Sequence, residues 1–136
     1  MRKGINKEEK QQVQEAIESI QNREYSDADV EKVLKNEKKI KSMFLKEAMK
    51  KYAEYVSTMF SMIKDFVAKR YKEIPIKYIV TMVGTLLYVL SPIDIIPDPT
   101  PVVGLMDDAA VVAGCIKLVA TYLEKYLTWK KNQANL

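Results

Sequence analysis

Histidine is absent from this 136-residue chain, and cysteine occurs once. The first absence removes the commonest general base and the commonest transition-metal ligand together. Ser–His and Cys–His nucleophile pairs are therefore impossible within one chain. The lone Cys115 excludes an internal disulfide, and with it a disulfide-built extracellular scaffold. In the apolar context AAVVAGCIK it reads as a small core side chain. No GxxxxGK(S/T), GxGxxG or CxxC occurs, so phosphate-loop and redox readings have no support. An enzyme built on this chain would have to work with carboxylates, lysines, tyrosines or a bound metal. Glycine (4) and proline (5) are scarce, and the abundance of Lys, Glu, Ala, Leu, Met and Val favours helix.

Positive charge is missing from one long stretch. No Lys or Arg occurs between Tyr78 and Ile116, whereas residues 1–77 hold 18 of the 22 cations and 13 of the 18 acids. The chain has a charged front and an apolar back. Only three of the cations are Arg, and no aromatic–basic platform is visible, so nucleic acid is not an expected partner. The opening MRKGINKEEKQQ turns polar where a signal peptide would turn apolar, which gives a cytoplasmic origin as the expectation.

What is present reads as helices. Asn6-Lys7-Glu8-Glu9 is a capping signal for a polar helix to about Gln21, with Val13, Ile17 and Ile20 as a narrow apolar stripe. Ser26-Asp27-Ala28-Asp29 starts a short helix to about Lys35. From Glu37 to Glu73 apolar residues recur in steps of three and four, predicting one amphipathic helix of up to ten turns. Its first half carries Lys38, Lys39, Lys41, Lys46, Lys50 and Lys51, a solvated face or a surface for anionic lipid. Pro75 opens a helix to about Leu90, within an uncharged run of 16 residues from Tyr78 to Ile93. That run is longer than an ordinary core helix needs and shorter than the ~20 residues of a bilayer span. Lys77 reads as a boundary residue at its start, and Gly84 and Gly114 as places of close helix approach. A last helix is expected to end near Trp129, with the polar tail KKNQANL fraying. Residues 1–36 form two peripheral helices, and 37–130 the main domain.

Between the two apolar helices lies YVLSPIDIIPDPTPVVGLMDDAAVV, with four of the five prolines and four carboxylates. Ser91-Pro92-Ile93-Asp94 combines a cap residue, a proline at the first helical position and an acid at the third. Pro97 stops any helix begun there, and Thr100-Pro101 repeats the device. Aspartates that cap a chain reversal beside apolar helices satisfy N–H groups that water cannot reach. Two alternatives stand beside this structural clasp. Asp94, Asp98, Asp107 and Asp108 could hold a hard cation, Mg²⁺ or Ca²⁺, or two of them could share a raised pKa for acid–base chemistry.

Tyr88, Ser91, Pro92, Asp94, Ile96, Pro97, Asp98, Pro101, Gly104, Asp107 and Asp108 together resemble the YkvA-like domain, a small, mainly bacterial domain of unknown function. The resemblance covers about residues 76–117. It implies a helical domain often classed as membrane-associated, found also in the membrane portion of some eukaryotic RING-type ubiquitin ligases. It implies no reaction, cofactor or ligand.

The expected fold is all-α: a hairpin of two apolar helices joined by the Pro/Asp turn, packed on a long amphipathic helix. The expected function is a non-catalytic module that meets a membrane surface on its cytoplasmic side, or partner helices. The alternatives are a divalent-metal protein or carboxylate hydrolase using the Asp cluster, and a cytoplasmic homo-oligomer that hides its apolar half.

Overall fold

The structure, a computed structural model, describes residues 7–91 and 108–135, with the side chain of Asp108 excepted. Among the described residues there are six α-helices: α1 (Lys7–Gln21), α2 (Asp27–Lys35), α3 (Glu37–Met43), α4 (Ala53–Val67), α5 (Ile76–Leu90) and α6 (Asp108–Ala134). A single 3₁₀ turn, Lys50–Tyr52, precedes α4. The all-α class expected from the sequence holds, with no strand among the described residues.

The short helices are built by their ends. Ser26 caps α2 with extended backbone, its Oγ accepting the Asp29 N–H at 3.2 Å, and acids occupy the first turn. Asn36 closes α2, donating from Nδ2 to the Lys32 carbonyl at 2.8 Å, and opens α3 in the same residue. α1 keeps its polar face in water with Gln11–Glu15 and Gln14–Glu18 pairs one turn apart.

The expected ten-turn helix is not continuous. α3 ends at Met43, the chain turns through Phe44–Met49, and α4 returns beside α3. The return is shown by Glu37 at the start of α3, whose carboxylate meets Lys64 near the end of α4 at 2.6 Å. In an unbroken helix, at 1.5 Å per residue, those two would stand roughly 40 Å apart. The reason lies in burial. Phe44 and Met49 are both in the core, yet five residues on a straight helix rotate about 140° and would point them to different sides. The corner lets both in. Apolar spacing cannot register it, because the steps of three and four run on across the turn through Leu45 and Met49.

α5 lies at the centre and contacts α1, α2, α3, α4 and α6. Every residue from Ile79 to Tyr88 is buried. The part of the uncharged run from Ile79 to Tyr88 is thus core helix, buried by its neighbours. Its threonines are satisfied locally: Thr81 donates to the Lys77 carbonyl and Thr85 to the Thr81 carbonyl, at 2.9 and 2.7 Å. Pro75 stands at the cap position with φ −60°, one place before the first turn.

α1 shares this core. A Cβ on Gly84 of α5 would come within 2.9 Å of Ile20 Cγ2 and 3.3 Å of the Ile20 carbonyl oxygen. One on Gly114 of α6 would collide with Ile17 Cδ1. The two glycines do mark close approach, and the helix they admit is α1. The last helix runs to Ala134, so the tail expected to fray is helical as far as that residue. No glycine or proline interrupts it beyond Gly114, and its end is tied down by Trp129 and Lys130.

Candidate functional site

Of the motif residues, the structure describes two side chains. Tyr88 is fully buried near the end of α5, and Ser91 follows it, its N–H bonded to the Leu87 carbonyl at 2.7 Å. Pro92, Asp94, Ile96, Pro97, Asp98, Pro101, Gly104 and Asp107 lie outside the described residues. Asp108 opens α6, and its side chain lies outside them too. The clasp and the cation site proposed for those carboxylates fall on that unseen set. Cys115 sits in the core, where burial pushes its thiol up to about 11 against a hydrogen bond with Thr85. It is a thiol at neutral pH and no nucleophile.

The densest polar arrangement among the described residues is around Asp65 in the last turns of α4. Asp65 extends the Met59–Met62 edge of the apolar stripe in steps of three, so its carboxylate is carried into the core and is 2% exposed. A buried carboxylate must be paired and hydrogen-bonded. Tyr126 O–H of α6 donates to Oδ2 at 2.5 Å, Lys130 Nζ to the same oxygen at 2.9 Å, and Arg70 Nε to Oδ1 at 2.8 Å. Ser61 Oγ is 2.5 Å from the Tyr126 hydroxyl and continues the chain of bonds.

Local backbone geometry brings Arg70 back. α4 ends in a Schellman closure: Arg70 N–H bonds the Asp65 carbonyl at 2.9 Å and Lys69 N–H the Phe66 carbonyl at 3.0 Å. The residue in the left-handed position is Lys69, at φ 62°, where glycine is usual. The closure folds Arg70 over Asp65. The contact that usually joins two apolar side chains across such a turn is here an ion pair.

Burial alone would push the Asp65 carboxyl up. Hydrogen bonds from Tyr126, Lys130 and Arg70 outweigh it and hold the group down at about 2. Asp65 is therefore ionised at any physiological pH and exchanges no protons there. It anchors cations. Burial also pushes Tyr126 up, and the hydrogen bond to Asp65 adds to this. Beside the group lies Glu37, whose tendency to rise on burial is overcome by Lys41 and Lys64, each 2.6 Å away. Together they line an open cleft of about 220 Å³ between α3, α4 and the end of α6. Four cations, Lys41, Lys64, Arg70 and Lys130, face two carboxylates across it.

Sequence reasoning did not single out this site. The signal was an acid set at a core register of α4, five residues before Arg70, with Lys130 at the polar end of a tyrosine-bearing stripe. Among the described residues no three His, Cys, Asp or Glu side chains gather in a way that could hold a metal ion.

The molecule is thus a small all-α bundle around one apolar helix, with a cationic cleft at one side. A family described as a protein of unknown function, DUF1232, matches residues 79–114, which span most of α5, the motif and the start of α6. The chain is similar to the "Uncharacterized membrane protein YkvA" of Bacillus subtilis (strain 168), 30% identical over 90 residues, covering 66% of this chain and 85% of that protein. The chain belongs to this YkvA-like family. No solved structure matches it. The matched segment ends before Tyr126 and Lys130 and begins after Asp65, so the cationic cleft lies outside it.

Proposed function

We propose that the protein is a non-catalytic, membrane-associated module that attaches to the cytoplasmic surface of a bilayer instead of crossing it. The observation that carries this reading is the corner between α3 and α4. Leu45 stands 73% exposed there, among the exposed Lys46, Lys50 and Lys51. An exposed apolar residue in a segment that carries three exposed lysines and one exposed acid, Glu47, suits the boundary between headgroups and acyl chains, where each cation adds about 1 kcal/mol against anionic lipid. Two further facts support it. The relative is named a membrane protein, while no described helix is long and apolar enough to cross a membrane. Among the described helices the most apolar, α5, is buried by protein from Ile79 to Tyr88.

Within this reading the Pro/Asp motif is a structural clasp. In its favour, the helices it connects, α5 and α6, pack against each other in the core. Sedimentation with vesicles tests the attachment. Vesicles rich in phosphatidylglycerol should carry the protein down at low salt and release it as salt is raised, because exposed charges are screened. Equal recovery in the pellet with and without vesicles at low salt would sink the proposal.

A further inference from the structure

We infer that the cleft lined by Lys41, Lys64, Arg70 and Lys130 binds a phosphate monoester group. Four cations against Glu37 and Asp65 leave two positive charges uncompensated, the complement of a phosphate monoester near neutral pH. The carboxylates do not exhaust the donors. Arg70 gives only Nε to Asp65, so both Nη nitrogens remain for a planar, two-point grip on phosphate oxygens. Lys41 and Lys64 each spend one contact on Glu37 and keep further ammonium hydrogens. Their side chains are held by these pairs yet stay 42% and 49% exposed, so they are positioned without being sealed from solvent. Ordering the cations before the anion arrives lowers the entropy cost of binding. Ser57 and Ser61 also line the cleft. At about 220 Å³ the cleft is smaller than the ~300–1,000 Å³ of sites for drug-sized ligands, and it is dominated by polar groups. That size selects a headgroup over a bulky apolar molecule.

The proposal does not rest on the membrane reading, and the phosphate can come from a free phosphomonoester or from a lipid headgroup. Thermal unfolding of the full chain separates the cases. The probes are inorganic phosphate, short-chain phosphatidic acid below its aggregation limit, and short-chain phosphatidylglycerol, a diester, each at ionic strength matched with chloride. Stabilisation by phosphate beyond chloride supports the site and assigns it to free phosphomonoesters. Stabilisation by phosphatidic acid alone supports the site and assigns it to a lipid headgroup. Replacing Lys41→Gln and Lys64→Gln together leaves the Asp65 network intact but strips Glu37 of both ion pairs, so the unliganded melting temperature should fall modestly; read against that lower baseline, affinity should fall about tenfold or more. Arg70→Lys, which keeps the charge and loses the fork, should weaken binding as well. No probe exceeding chloride, or a double variant that responds like wild type, overturns the inference and leaves the cleft as a brace between helices. All probes are monomeric in solution, so a failure of vesicle binding does not bear on the outcome.

Discussion

Asp65 and Tyr126, one from α4 and one from α6, meet in the core with the phenol donating to the carboxylate at 2.5 Å. The bond joins the third-last residue of one helix to the middle of another, and it is flanked by Lys130 and Arg70. Because Asp65 is almost fully buried, this cluster couples helix packing to charge.

Acid should therefore loosen the bundle. The folded carboxyl is held at about 2, below its ordinary value of 3.8. A depressed pKa contributes stability above the unfolded value, and that contribution is lost as pH falls from about 4 toward 2. Its size is roughly 2 kcal/mol. Urea midpoints measured from pH 5 to pH 2 should fall over that window in wild type. Asp65→Asn should be less stable by a similar amount at pH 7 and show a shallower fall. A variant that tracks wild type at every pH would remove Asp65 as the cause.

Lys69→Gly should stabilise the protein. A left-handed backbone costs a residue with a Cβ about 1–2 kcal/mol, and glycine gives back about 0.5–1 through its freer unfolded state. The net expectation is a gain of up to about 1 kcal/mol, read as a higher melting temperature. Lys69→Ala should bring no such gain, since alanine meets the same strain.

The two helical glycines should answer alanine differently. Removing glycine from a helix interior favours folding by about 1 kcal/mol, all else equal. At Gly114 the new methyl meets only the tip of Ile17, which can swing aside, so Gly114→Ala should be near neutral. At Gly84 it meets a branched methyl and the backbone of Ile20, which cannot. Gly84→Ala should cost about 1–3 kcal/mol by overpacking. Chemical denaturation of both variants checks the order.

Membrane attachment should reside in the α3–α4 corner. Lys46→Gln, Lys50→Gln and Lys51→Gln combined should lower partitioning onto anionic vesicles about a hundredfold, at roughly 1 kcal/mol per cation. Leu45→Ser should weaken binding at high salt more than at low salt, since its share is apolar. Circular dichroism should show all of these variants folded, because the four side chains are exposed.

Much of this architecture is legible in the residues themselves. Ser26 and Asp29 announce the start of α2, Pro75 that of α5, and the apolar steps from Val111 to Tyr126 the buried face of α6. Such signals are local, a cap or a repeat within a few turns. The corner after Met43 was hidden because the repeat survives it. The Asp65 cluster was hidden for another reason. Its members lie up to 65 positions apart, and each alone is an ordinary charge or tyrosine on a helix. Only packing reveals that one of them is inside. The motif's meaning stays with residues the structure does not describe, although the helix before it ended at Leu90, where it was expected to end.

The intimate seat of α1 has one more consequence. Ile17 and Ile20 lie on backbone that has no side chain at Gly114 and Gly84, so α1 acts as a lid pressed onto α5 and α6. An arrangement in which α5 met acyl chains would first require that lid to lift. The seat of Ile20 on Gly84 is therefore one of the contacts that keep α5 from lipid, and a cysteine cross-link between α1 and α5 would hold it closed.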